Sequence, residues 1–128
     1  MILVDTHVWL WQTVAPERLS PSARKAIDEA DAVLVSVASC LEVAALERKG
    51  RIALDRDVTA WIRQAIDSTG VDRVEVDVEI ATRAGTLPDP FPGDPADRLI
   101  YASAVARGVP LVTKDQAIRA FDPARTVW

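Results

Sequence analysis

The chain has 128 residues, room for one ordinary domain (residues 1–128) and too little for two independent cores. Hydrophobic residues make up 49% and 19 acids face 15 bases, so a disordered chain and a broad basic surface for nucleic acid are both excluded, though a small basic rim around an acidic site is not. A single cysteine excludes a disulfide framework, the opening MILVD does not read as a secretory signal, and no apolar run approaches the roughly 18 residues that cross a bilayer, so a cytoplasmic protein with no membrane partner is expected.

Met1 to Val4 is a continuous apolar run, the pattern of a strand buried on both faces, and Asp5 ends it. A helix carrying Val8, Trp9 and Leu10 follows until Pro16 breaks it. A second runs from Pro21 to Ala30, with Ser20 as N-cap and Pro21 at the first helical position. Ala32 to Val37 is the next buried strand. Ser39 then opens a helix over SCLEVAALERK, and Gly50 lies just past its end. The spacing of Val58, Trp61, Ile62, Ala65 and Ile66 predicts a helix from about Asp57 to Ser68, stopped by Gly70. Val71 to Val76 alternates with charged residues, which suits a strand near an edge. Asp77 to Ala84 reads as a short helix, and the proline-rich stretch from Leu87 to Gly93 as a loop. Asp94 opens a helix to Arg107 that Gly108 ends. Val109 to Thr113 is another apolar strand, a short helix follows Asp115, and Arg125 to Trp128 suits a last edge strand. Buried strands alternating with helices predict a parallel sheet covered on both faces, with ligands bound outside the carboxyl ends of the strands.

Acids stand at those ends. Asp5 directly follows the first strand, and Asp115 echoes it after the strand Val109–Thr113. Asp94 and Asp97 share one helix start, with Pro95 between them; Asp94 is the natural N-cap there. Glu42 lies in what reads as the first turn of its helix, among Cys40, Leu41, Val43, Ala44 and Ala45, where an unpaired carboxylate is costly. Each acid taken singly is explained by helix capping. Taken together they crowd like charges on one edge of the sheet, which favours a cation among them. Oxygen-only ligands suit Mg²⁺ or Mn²⁺. Cys40 reads as a small buried filler, Trp9 and Trp11 as core packing or a dimer contact before base stacking, and His7 as a residue of the site's rim.

The segments MILVDTHVWLW, VSVASCLEVAALERKGRI, GDPADRLIYASA and VPLVTKD, in that order, resemble a PIN domain, and more narrowly the VapC toxins of bacterial toxin–antitoxin pairs. The resemblance implies a three-layer α/β/α sandwich with a central, mostly parallel sheet of four to five strands. It implies a metal-dependent endoribonuclease that hydrolyses RNA phosphodiester bonds with metal-activated water. Carried over by position, Asp5, Glu42, Asp97 and Asp115 are the catalytic and metal-binding acids. Asp97 stands in the family's Asp-x-x-Ile-x-Ala pattern, here Asp97-Arg-Leu-Ile100-Tyr-Ala102. Asp94 is read as a cap and supporting residue before a ligand. Thr6 and Thr113 stand beside two of the acids as orienting residues, and Arg98 is a candidate RNA contact. The resemblance also implies a VapB-like antitoxin and a homodimer. Two other readings stay open: a non-catalytic PIN-like binding module whose acids only cap helices, and a metal-dependent DNA nuclease or phosphohydrolase. With the four proposed ligands set aside, 15 acids remain against 15 bases. The whole charge surplus can therefore sit in one cleft.

Overall fold

A computed structural model describes residues 1–128. Five strands, β1 (Ile2–Val4), β2 (Val33–Ser36), β3 (Asp72–Val74), β4 (Leu111–Val112) and β5 (Thr126–Val127), form one sheet in the order β3-β2-β1-β4-β5. Every pairing is parallel, so the sheet is wholly rather than mostly parallel. The chain builds outward from β1 to β2 and β3, then returns to the other side for β4 and β5. Strand order therefore reverses between β1 and β4, which marks the carboxyl ends of those two strands as the binding crevice of such sheets.

The pleat sends alternate side chains of the short strands to opposite faces. Leu3, Leu34 and Leu111 join one core with Ile100, Tyr101 and Ile118. Their neighbours Val4, Val35 and Val112 join the other, with Val8, Trp9, Trp61 and Ala65. The first core lies under α5 (Val78–Thr86), α6 (Pro95–Arg107) and α7 (Gln116–Phe121). The second lies under α1 (Thr6–Val14), α2 (Pro21–Glu29) and α4 (Val58–Thr69), while α3 (Val37–Arg48) contributes Ala38 to one and Val43 to the other. The result is the three-layer α/β/α arrangement. Trp9 and Trp61 are consumed in the core, ring to ring at 6.1 Å, so neither offers a dimer surface. No helix is long and apolar enough to cross a membrane.

Local chemistry sets the helix ends. Ser20 caps α2, its Oγ accepting from the Ala23 N–H, and Gly108 ends α6 at φ +65°, a backbone that side-chain-bearing residues rarely adopt. The third helix differs from the reading that opened it at Ser39. The Ser36 hydroxyl accepts from the Ala38 N–H at 3.1 Å, so α3 begins at Val37, in direct continuation of β2. Glu42 is therefore in the second turn, beyond the strongest field of the helix N-terminus. A short 3₁₀ turn at Pro16–Arg18 follows α1 where the sequence showed only a break.

Candidate metal centre

Both carboxylate oxygens of Asp5 are held by hydrogen bonds. It caps α1 at the end of β1, its Oδ1 accepting from the Thr6 N–H at 2.7 Å. Its Oδ2 accepts from the Thr113 hydroxyl at 2.6 Å, across the β1/β4 switch. Thr113 Oγ1 in turn accepts from the Asp115 N–H at 3.0 Å. Asp5 and Thr113 are both buried, so this short relay fixes the carboxylate without a cation. Thr6, also buried, donates from its hydroxyl to Ser39 Oγ at 2.9 Å and so ties α1 to α3.

Those contacts bring Glu42 on α3 and Asp97 on α6 to Asp5. One carboxylate oxygen from each of the three residues lies within 4.8 Å of the others. Asp115 joins them on the wall of a cavity of about 450 Å³, rimmed by His7, Trp11 and Lys114. One Asp115 oxygen caps α7, accepting from the Ile118 N–H at 3.0 Å. Asp94 takes the cap of α6, its Oδ1 accepting from the N–H groups of Ala96 and Asp97, and it stands exposed outside that cavity wall.

Arg98 does something other than the RNA contact the sequence suggested. Its guanidinium donates to the carbonyl oxygens of Pro92 at 2.9 Å, Ala84 at 3.0 Å and Leu87 at 3.1 Å. It clamps the proline-rich loop that leads into α6, and with its donors committed there it does not line the cavity. Lys114 was passed over in the sequence, although its place between Thr113 and Asp115 was the available signal. Trp11 stands four residues beyond His7 on α1, a spacing that puts both on one side of the helix and on this rim.

The acids resist ionising together. Burial pushes the Asp5 carboxyl up, against the pull of the Thr113 and Thr6 hydrogen bonds. Burial also raises Glu42, with Asp5 and Asp94 adding to it and the nearby Thr6 hydroxyl opposing. Asp97 is pushed up to about 7, by burial first and then by Asp5, Asp94, Glu42 and Asp115. One Glu42 oxygen, Oε1, is cut off from solvent with no hydrogen-bond partner. A divalent cation suits this set. The donors are all hard oxygens, and the orphaned Oε1 has no other satisfier. One oxygen from each of the three acids already lies within 4.8 Å of the others, so Asp5, Glu42 and Asp97 would hold such an ion.

A PIN domain family model matches residues 2–122. The chain is 43% identical to Ribonuclease VapC22 of Mycobacterium tuberculosis over 99% of its own length and 98% of that protein's. Among solved structures, its fold is similar to a toxin-antitoxin complex from Klebsiella pneumoniae, with a TM-score of 0.69 and 20% identity over 100% of this chain and 97% of that one. It is also similar to VapBC2 from Rickettsia felis bound to a DNA fragment from their promoter, with a TM-score of 0.68 and 13% identity over 98% and 97% of the two chains. The ordered acids, the parallel sheet that gathers them and the match along nearly the whole length agree: the chain belongs to the PIN-domain family, in its VapC branch.

Proposed function

We propose that this protein is the ribonuclease toxin of a VapBC-type toxin–antitoxin pair, and that it hydrolyses RNA phosphodiester bonds with a divalent metal ion, Mg²⁺ or Mn²⁺. The observation that carries the metal dependence is the triad of Asp5, Glu42 and Asp97, with one oxygen of each within 4.8 Å of the others, together with a Glu42 side chain whose Oε1 has no hydrogen-bond partner. Asp5, Glu42 and Asp97 would hold the ion. When bound, it supplies the positive charge that lets the acids ionise together, and it activates water for attack on phosphorus. Thr113 fixes the Asp5 carboxylate through its 2.6 Å hydrogen bond and would so orient it as a ligand. Thr6 braces α1 against α3, so that Asp5 and Glu42 keep their spacing. Asp115 has one oxygen committed to its helix and the other available at the cavity, which suits a second ligand or a water-orienting role. Asp94 supports Asp97 by capping their shared helix.

Both cores rest on one sheet, which supports reading residues 1–128 as a single nuclease domain. The kinship with Ribonuclease VapC22 supports an RNA substrate, and the likeness to toxin-antitoxin complexes supports a VapB-like antitoxin; the proposal extends to a homodimer that acts in the cytoplasm. The metal centre is tested by incubating purified protein with RNA in EDTA, Mg²⁺ and Mn²⁺, beside Asp5→Asn. Cleavage should need the ion, and Asp5→Asn should lose more than about 100-fold, the upper range for a group that merely supports a ligand. Cleavage that persists in EDTA, or an unimpaired Asp5→Asn, refutes the metal mechanism. Cleavage of DNA but not RNA refutes the substrate.

A further inference from the structure

Beyond the acids, a cleft of about 850 Å³ is lined by Leu10, Ile52, Leu54 and Trp61. It meets the acid cavity at two shared residues, His7 and Trp11. Trp11 is half-buried, its ring 5.8 Å from His7 and 5.9 Å from Trp128. Two cations approach the same ring from opposite cavities: Lys114 at 5.5 Å on the acid side and Arg18 at 5.9 Å on the cleft side. Both cations are exposed and neither is in an ion pair. Arg51, also exposed and unpaired, lines the cleft further on, whereas Arg56 is tied to Asp55 at 2.8 Å. The unpaired charges of the cleft are thus Arg18 and Arg51 against Glu17 alone.

From this juxtaposition we infer that Trp11 is the platform on which one base of a single-stranded RNA stacks beside the scissile phosphate, and that Arg18 and Arg51 hold the phosphates beyond it. The inference rests on the ribonuclease reading and gives it a substrate path. A flat π-face serves any base, and the cations that now rest on it are exposed, unpaired side chains. An incoming base takes their place on the ring, and the displaced Lys114 and Arg18 turn to the phosphates on either side. The chain thereby tracks RNA without the broad basic face that its composition excludes. Trp11 acts as a binding residue, and the acids keep the chemistry.

The test uses steady-state cleavage of a short, labelled, mixed-sequence single-stranded RNA by wild type, Trp11→Leu, Trp11→Phe and Arg18→Ala/Arg51→Ala. Leucine keeps apolar bulk against the core without a π-face, and phenylalanine keeps the face. Trp11→Leu should raise KM by about 5- to 100-fold with a smaller change in kcat, the size of one lost base–aromatic stack. Trp11→Phe should stay near wild type, and the double arginine variant should raise KM and flatten its salt dependence. An abasic site walked along the RNA should raise the wild-type KM at one position by the same factor, and that position should be silent in Trp11→Leu. An unchanged KM in Trp11→Leu, or abasic effects that add to it at every position, overturns the inference. So does an unchanged KM in variants whose gel-filtration mass shifts, which would make the cleft a protein-binding face. A wild type that does not cleave at all would sink the nuclease reading instead. Anisotropy of the same RNA with wild type and Trp11→Leu would then decide the platform by the same fold-change in binding.

Discussion

Asparagine at position 97 separates a metal-binding cluster from a set of helix caps. In metal-free protein the Asp97 carboxyl is pushed up to about 7 by burial and by Asp5, Asp94, Glu42 and Asp115. In the unfolded chain it titrates near 3.9. Between roughly pH 4 and 7 the folded protein therefore holds a proton that the unfolded chain has released, and stability falls as pH rises through that window. Three units of displacement would be about 4 kcal/mol for a fully buried group. Solvent reaches this carboxylate, and screening reduces the expected cost to about 1–2 kcal/mol. Asp97 is also the third residue of α6, where a negative charge is favoured, but the net displacement is upward, so ionisation costs on balance. Asparagine keeps the shape and cannot ionise. In EDTA at pH 8, Asp97→Asn should melt roughly 3–10 °C above wild type, and the gap should close as pH falls toward 4. Excess Mn²⁺ should reverse the order, because an ion at 100 times its Kd adds about 2.7 kcal/mol to whichever protein binds it. A variant that melts below wild type at pH 8 without metal, with no divalent ion shifting either melt, would mean that Asp97 only supports its helix.

Thr113→Val removes a 2.6 Å donor from the buried Asp5 carboxylate. Mn²⁺ affinity and RNA cleavage should drop about 10- to 100-fold, with Thr113→Ser close to wild type; equal behaviour of Val and Ser at this position would refute the relay. Arg98→Ala frees the carbonyls of Ala84, Leu87 and Pro92. Chemical denaturation should show a loss of about 1.5–3 kcal/mol with the KM for RNA unchanged. A raised KM at unchanged stability would return Arg98 to the substrate.

Much of the site was legible because it stands where chain chemistry changes abruptly. Asp5 and Asp115 each end an apolar run, and runs that are buried on both faces locate the carboxyl edge of a parallel sheet without any knowledge of strand order. Pro95 after Asp94 fixed the start of α6, and hence the place of Asp97 within it. Legibility ended where tertiary contact decides. Ser36 and Ser39 both suit an N-cap, and only the packing of β2 selects Ser36. Arg98 follows a proposed ligand and so resembled a substrate contact; its partners belong to a loop whose path no local pattern states. Trp11 lies two residues after Trp9, and only the 3₁₀ turn, Arg18 and the distant Trp128 and Lys114 show that one ring is core and the other is rim.

The same burial that makes the sheet fold also makes the acids need a partner. Ile2, Leu3 and Val4 carry Asp5 into the interior, and the Ala-rich turns of α3 and α6 bring Glu42 and Asp97 against it. Without a cation, burial first and then the neighbouring carboxylates raise the cost of ionising Asp97 and Glu42, while Asp5 is pushed up chiefly by its own burial. Most of the acidic surplus that looked unsuited to RNA is then gathered at one cavity mouth, where four acids face Lys114. RNA would be repelled from this mouth as long as the acids were charged and bare. Metal occupancy would remove that repulsion, so RNA binding as well as cleavage should rise with divalent ion in wild type. In Asp97→Asn, which carries one charge fewer and a weaker ion site, RNA binding in EDTA should exceed that of wild type while cleavage stays low. Opposite movements of binding and cleavage in one variant would trace both to the acids; binding that ignores metal in both proteins would place the RNA elsewhere.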